Sequence, residues 1–360
     1  MIFIIIFALC LVITLGIFLY SPFVKLVVKI KKPLIRENNR IPYLTVIIPA
    51  YNEKEFMEEK IKNTLSLDYP KKKFKVIVID DGSTDGTTEI IRKLNVSTIR
   101  TKRNGKINAL NIGIKSAKTD FVVITDADTT LSRNALKNAV GKLGKGIGAV
   151  GGITKLNYKP LFYFKGKNIY NNSDWNLRYK ESLLDSTCGL DGKFIAFRKS
   201  DFDEFPEETH VDDFEMTFIL RKKGLRCIID SEISIYETPV SGFKEEIKQI
   251  RRRTAYTIKT LFRYYYFIFN PHYSYFGMFT LPFRRVLTLF LPFMLTYMLM
   301  FMLFSNLLIF YVLMIIVLVS AVAYKKVSYL YIILLSILLA WVDIATNRPK
   351  AGAAWGKLKR

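Results

Sequence analysis

Cysteine and histidine are scarce in this 360-residue chain, with three of the first and two of the second. Cys10, Cys188 and Cys227 are odd in number, far apart and free of any CxxC spacing, which excludes a disulfide scaffold and suits a cytosolic middle segment. His210 and His272 are too few for a histidine-rich zinc site. No GxGxxG or GxxxxGK[ST] follows any apolar run, which disfavours a dinucleotide-dependent dehydrogenase and a P-loop NTPase. Acidic residues also run short, 31 Asp+Glu against 54 Lys+Arg, for a net charge of +23. In a chain with apolar runs of lipid length such an excess suits the anionic face of a membrane, so no nucleic-acid partner is expected.

What the chain has in abundance is apolar sequence, 50% of its residues with a mean hydropathy of +0.18, concentrated at its two ends. Met1 to Tyr20 is almost uninterrupted, with no basic residue ahead of it and Lys25, Lys29, Lys31 and Lys32 behind it. This reads as a signal anchor, residues 1–24, with its N-terminus outside and the chain after Lys25 in the cytoplasm. Val286 to Tyr324 is about twice the roughly 20 residues one span needs, with Ser305-Asn306 near its middle, and predicts a helical hairpin closed by Lys325-Lys326. A further apolar segment follows, Val327 to Ala345, and two arrangements remain open for it. A true span would put the basic tail, with Arg348, Lys350, Lys357, Lys359 and Arg360, outside; an interfacial or re-entrant segment would keep it inside. Between these regions, Leu261 to Arg285 mixes tyrosines and phenylalanines with Arg263, Arg284 and Arg285, a composition suited to the headgroup level.

The middle of the chain alternates short β-branched runs with amphipathic stretches. Strands are expected at Leu44–Pro49, Phe74–Asp80, Val96–Thr101, Phe121–Thr125 and Ile147–Thr154, and helices at Phe56–Leu65, Ile90–Leu94, Lys106–Ala117 and Ser132–Leu143. Such alternation predicts an α/β domain with a mainly parallel sheet, whose ligands bind beyond the carboxyl ends of the strands. Polar clusters fall just there: Pro49-Ala50-Tyr51-Asn52-Glu53, Asp80-Asp81-Gly82-Ser83 and Asp126-Ala127-Asp128. Asp126 and Asp128 lie two residues apart at a strand end, where alternation turns both carboxylates to one side. With a nucleotide diphosphate they would form an all-oxygen site for Mg²⁺ or Mn²⁺.

The ordered succession TVIIPAYNE (Thr45 to Glu53), VIVIDDGSTDGT (Val76 to Thr87), NGKINALNIG (Asn104 to Gly113), TDADTT (Thr125 to Thr130), VDDFEM (Val211 to Met216) and QIRRR (Gln249 to Arg253) resembles family 2 glycosyltransferases. The resemblance covers about residues 43 to 260 and implies the GT-A fold, a Rossmann-like nucleotide-sugar-binding domain. The flanking helices resemble the membrane-embedded branch of that family, which includes cellulose, chitin and hyaluronan synthases and many single-sugar transferases.

The resemblance implies roles by position. Pro49, Ala50, Tyr51 and Glu53 would wall the base pocket, with Tyr51 available to stack. One of Asp80 and Asp81 would accept the imide N–H of a uracil; the residues do not say which. Lys106 would reach the diphosphate, Asp128 would hold the metal, and Asp126 would lie near the ribose or the metal shell. Asp213, second acid of the Asp212-Asp213 pair at a helix start, would be the base that takes the acceptor proton in an inverting transfer. Gln249 and Arg252, three apart on one helix face, would contact the leaving diphosphate, with Arg253 beside them. Arg253 stands where processive synthases carry a tryptophan that holds a growing polymer, so single transfers are preferred over chain growth. Lys193 to Arg198 resembles the strand that lines the acceptor side, with Asp191-Gly192 as its turn.

The expected organisation is an anchor (1–24), a cytoplasmic glycosyltransferase domain (40–242), amphipathic interfacial helices (243–285), C-terminal transmembrane helices (286–345) and a basic tail (346–360), multi-pass in the cell membrane. The expected activity is metal-dependent, inverting transfer from a nucleotide-sugar, UDP-linked by the resemblance, to a lipid-linked saccharide or polysaccharide. The alternatives are a processive polysaccharide synthase and, of another class, a membrane adaptor that binds nucleotide without turnover. Protein partners are not readable.

Overall fold

The computed structural model describes residues 1–31, 35, 38, 40–156, 162–238, 242–305, 308–312, 314–315 and 325–346. They fall into two compact units. The first, the sheet unit, is built from the described residues within 35–156 and 181–238. Its elements run β1 (Leu44–Ala50), α2 (Lys54–Ser66), β2 (Phe74–Asp80), α3 (Thr87–Lys93), β3 (Ser97–Arg100), α4 (Lys106–Ser116), β4 (Phe121–Thr125), β5 (Thr129–Leu131), α5 (Ala135–Lys142), β6 (Ile147–Leu156), β7 (Phe194–Arg198), α7 (Asp212–Lys222) and β8 (Arg226–Glu237). The eight strands form one sheet in the order β3-β2-β1-β4-β7-β6-β8-β5.

The first half is the parallel sheet that the alternation predicts. β1 pairs in parallel with β2 and β4, and β2 with β3. All seven residues of β1 are buried, as a central strand covered on both faces requires. The core gathers Leu44, Val46, Ile48, Met57, Ile61, Val78, Ile91 and Val123 beneath the helices. The second half departs from the expectation: β7 inserts antiparallel between β4 and β6, and β5 pairs antiparallel with β8, so the sheet is mixed. The register of β6 against β8 shifts between Gly151 and Ile153. Gly152 sits at that irregularity because a Cβ there would meet the Ile233 carbonyl oxygen at 2.8 Å.

The second unit is helical and comprises the described residues within 1–31, 162–180 and 242–346. It contains α1 (Ile2–Lys31), most of α6 (Phe162–Leu184), α8 (Phe243–Arg263), α9 (Leu287–Ser305) and α10 (Lys325–Ala345). Among the described residues, three helical stretches are long and apolar enough to cross a membrane: Ile2–Lys31, Phe276–Ser305 and Ser328–Ala345. α1 runs beyond the expected anchor, through Pro22 and the first lysines. It lies antiparallel to α9, with Phe7 stacked on Phe301 and Tyr20 stacked on Phe283. The expected hairpin connection around Asn306, the stretch 316–324 and the basic tail lie outside the described residues.

The segment after α8, expected at the headgroup level, buries part of its aromatic content. It coils through short 3₁₀ and π turns, Phe267 and Phe276 are fully buried, and Phe267 stacks on Tyr273 at 3.7 Å between centroids. Only some of the aromatics, Tyr265 and Phe269 among them, are exposed. Gly277 permits this coil, since a Cβ there would collide with the Asn270 carbonyl oxygen. Charged groups tie the helices of this unit together. Lys167 on α6 and the Tyr329 hydroxyl on α10 both donate to buried Glu246 on α8, each at 2.6 Å. Asp174 on α6 accepts from Arg178 and Arg284, and Arg251 on α8 pairs with Asp343 on α10. A buried carboxylate needs such donors, because an unpaired charge there costs several kcal/mol.

Candidate active site

The in-phase parallel registers set Ala50 level with Asp80 and Asp80 level with Arg100, so the loops after β1, β2, β3 and β4 leave one edge of the sheet. These loops are sewn to each other. Asn52 N donates to Ser83 Oγ at 3.0 Å, Thr84 N to Asn52 Oδ1 at 2.8 Å, and Glu53 N to Thr87 Oγ1 at 2.9 Å. Asn52 adopts a left-handed φ of 55° to make this crossing. Tyr51, half-buried, is stacked by the Arg103 guanidinium at 3.3 Å from its ring centroid.

Asp80 and Asp81 are both fully buried and are engaged with the protein's own loops. Asp80 accepts from Ser83 N at 2.9 Å and from the Thr88 hydroxyl, and lies 3.8 Å from Arg100 Nε. Asp81 accepts from Asn104 N at 2.9 Å, Gly105 N at 2.8 Å and Thr101 Oγ1 at 3.2 Å. Any contact from either carboxylate to a base is additional to these bonds. Gly82, at φ 78°, allows the close approach, since a Cβ would meet Arg103 N at 3.1 Å.

The acidic motif after β4 is set by β7. Thr125 Oγ1 donates to the Lys193 carbonyl at 2.8 Å and Asp126 N to the same oxygen at 3.3 Å. Lys106, at the first turn of α4, then joins two acids far apart in sequence: its amine lies 2.9 Å from Asp126 Oδ1 and 2.8 Å from Asp212 Oδ2. Asp212 and Asp213 open α7. Asp212 reaches inward past Gly192, where a Cβ would stand 2.9 Å from Asp212 Oδ1. Asp213 is half-buried, and its carbonyl accepts from Thr217 Oγ1.

The electrostatics follow from one lysine facing several carboxylates. Burial works against the charged Lys106 amine, but Asp126 and Asp212 outweigh it and hold the amine above the ordinary lysine range. Burial, then Asp128 and Asp212, push Asp126 up to about 6 against the pull of Lys106. Of this acid-rich cluster, Asp126 and Asp128 are the carboxylates that could hold a divalent cation through oxygen. Among the described residues no three His, Cys, Asp or Glu side chains close a metal cage, so further ligands would come from a bound diphosphate and water.

The structure thus gathers Pro49, Ala50, Tyr51, Glu53, Asp80, Asp81, Lys106, Asp126, Asp128 and Asp213 in the sheet unit. Gln249, Arg252 and Arg253 lie on α8 of the helical unit. Asp212 and Arg103 were missing from the sequence-derived site. The first was signalled by the acidic pair at a helix start; the second had no pattern to mark it. A buried cluster at the Asp191-Gly192 turn was also unforeseen: Lys193 lies 3.1 Å from Glu237 and 3.5 Å from Asp191, which also accepts from Thr154.

Residues 45–205 match the sequence profile of glycosyl transferase family 2. Poly-beta-1,6-N-acetyl-D-glucosamine synthase of Staphylococcus aureus is 30% identical over 207 residues, 54% of this chain and 50% of that protein. The enzyme of the same name from Staphylococcus epidermidis is 31% identical over 173 residues, 46% of this chain and 41% of its own. The chain therefore spans about half the length of the curated relatives it matches. Among solved structures, the mannosyltransferase PcManGT from Pyrobaculum calidifontis, in complex with GDP-Man and Mn²⁺, superposes with a TM-score of 0.79 at 25% identity. It covers 95% of this chain and 99% of its own. The mixed sheet with its acidic edge is a GT-A fold. Residues 45–205 form a glycosyl transferase family 2 domain.

Proposed function

We propose that this protein is a membrane-bound, metal-dependent, inverting glycosyltransferase that moves a sugar from a nucleotide-sugar to a lipid-linked saccharide. The observation that carries the reading is the Asp126–Lys106–Asp212 bridge, which brings the acidic motif after β4 to the start of the helix that bears Asp213. Asp126 and Asp128 would hold a divalent cation, which supplies charge stabilisation to the departing diphosphate. Tyr51 and the loops around it would seat the base, and Lys106 would offer its charge to the phosphates. Asp213, at the mouth of α7, would accept the proton of the attacking acceptor hydroxyl, worth about 10²–10⁴ in rate.

The sequence favours a UDP-linked donor, while the structural neighbour is in complex with GDP-Man and Mn²⁺, which supports a guanosine donor equally. Both belong in the test. The three candidate spans support residence in the membrane, with the sheet unit on the cytoplasmic side. Processive synthesis is the second reading, favoured by the likeness to poly-beta-1,6-N-acetyl-D-glucosamine synthases.

The test is nucleotide release by the solubilised full chain with a panel of UDP- and GDP-sugars, Mn²⁺ or EDTA, and extracted membrane lipids. Metal-dependent release with one donor, lost in Asp213→Asn with donor affinity retained, is the expected result. Product length then separates single transfer from chain growth. No release with any donor would remove the enzymatic reading and leave the adaptor.

A further inference from the structure

α2 turns one stripe toward the sheet, and the buried residues on it are Met57, Lys60, Ile61 and Thr64. Three of these are ordinary core residues for a helix packed on strands; Lys60 is not. Its side chain is 1% exposed, and its three hydrogen-bond partners are uncharged oxygens: Thr125 Oγ1 at 2.7 Å, Thr129 O at 2.9 Å and Thr129 Oγ1 at 3.4 Å. A buried ammonium is costly, and an apolar side chain of the same length would fill the space without that cost. Burial pushes the amine down to about 7, while Asp126 and Asp128 draw it back up.

The placement of those three oxygens gives the lysine a task. Thr125 is the last residue of β4 and Thr129 the first of β5, and the turn between them is Asp126-Ala127-Asp128. The ammonium therefore ties both ends of that turn from below. The same threonines carry the tie further: Thr129 Oγ1 donates to the Asp126 carbonyl at 3.1 Å, and Thr125 Oγ1 to the Lys193 carbonyl at 2.8 Å. One buried donor thus fixes the acidic turn against α2 on one side and against β7 on the other.

We propose that Lys60 is a positioning residue for the divalent-metal site, holding Asp126 and Asp128 at the spacing from which both reach one cation by clamping Thr125 to Thr129. The proposal rests on the reading that these two aspartates bind a metal together with a nucleotide diphosphate. Groups that hold metal ligands in place, without touching the metal, typically change metal affinity by about 10- to 100-fold when removed.

The experiment measures Mn²⁺ binding directly, by the EPR signal of free Mn²⁺, on the purified full chain with saturating GDP or UDP, for the native protein, Lys60→Met, Lys60→Gln and Asp128→Asn. Near-UV circular dichroism checks folding, and nucleotide affinity is measured separately without metal. Lys60→Met is expected to raise the Mn²⁺ dissociation constant about 10- to 100-fold while metal-free nucleotide affinity stays native. Lys60→Gln, which keeps a donor without the charge, is expected to recover part of the loss. Should Lys60→Met fail to fold, Thr125→Val decides the matter, with a smaller rise in the same direction expected and native Mn²⁺ binding overturning the proposal. A folded Lys60→Met that binds Mn²⁺ as the native chain does, or that loses metal-free nucleotide binding in equal measure, also overturns it. Native-like Mn²⁺ binding by Asp128→Asn, or none by the native chain, would instead bring down the metal-site reading itself.

Discussion

Replacing Lys106 by methionine removes the one cation that bridges Asp126 and Asp212, at 2.9 and 2.8 Å, and keeps the length of the side chain. Removing one partner of a fully buried pair costs about 3–5 kcal/mol. The three side chains here are 18, 25 and 11% exposed, so water screens part of the unpaired charge and about 1–3 kcal/mol is the better figure. In a domain of this size that is a fall of about 3–10 °C in Tm. The loss should depend on pH. Asp126 has a folded-state value of about 6, raised from 3.8, so ionising it in the fold is unfavourable: the deficit is absent below the unfolded value and grows as pH rises through the folded one. Without Lys106 the folded value climbs further and the deficit deepens. Thermal melts of the metal-free native and variant chains at pH 5 and pH 8 check this. A Tm difference clearly larger at pH 8 is expected. An equal difference at the two pH values, or a larger one at pH 5, would refute the charge-bridge account.

Other substitutions test the packing. Gly152→Ala places a methyl 2.8 Å from the Ile233 carbonyl at the β6–β8 irregularity and should cost about 1–3 kcal/mol, read as a shift in the denaturation midpoint. Glu246→Ala leaves the Lys167 ammonium buried without its carboxylate and should cost about 3–5 kcal/mol by thermal melting, with Lys167→Met in the same chain recovering much of it. Cys188 and Cys227 are fully buried, and burial pushes the Cys227 thiol up to about 12, so a maleimide at pH 8 should leave both unlabelled until the protein is unfolded.

The first four strands and the helices between them were legible because each is a local pattern: a β-branched run, a turn residue, an amphipathic stripe. Asp126, Asp128 and Asp213 were legible for the same reason, as acids at a strand end and a helix start. The antiparallel entry of β7 was not, since pairing between distant segments leaves no periodic trace in either one. α6 escaped notice because its sequence, with Asn171, Asn172 and scattered charges, shows a weak apolar face. Its ion pairs to Glu246 and Arg284 come from residues about 80 and 110 positions away. Lys60 carries no sequence mark of its own, because a lysine among helical glutamates ordinarily faces water. Its place on the stripe Met57, Lys60, Ile61, Thr64 was the available signal.

The carboxylate of Glu246 takes one partner from residue 167, made before it, and one from residue 329, made 83 positions after it. At a synthesis rate of about 5–20 residues per second, the second partner emerges roughly 4 to 17 s after Glu246 itself. During that interval α8 exists with its key acid only half satisfied, so the helix can complete its burial only once α10 has been delivered. The fit of these helices is in this sense an ordered event in biogenesis, with the tyrosine of the last described helix as its closing step. Chains arrested before that tyrosine should present Glu246 to solvent and to quality-control proteases, however complete their sheet unit already is.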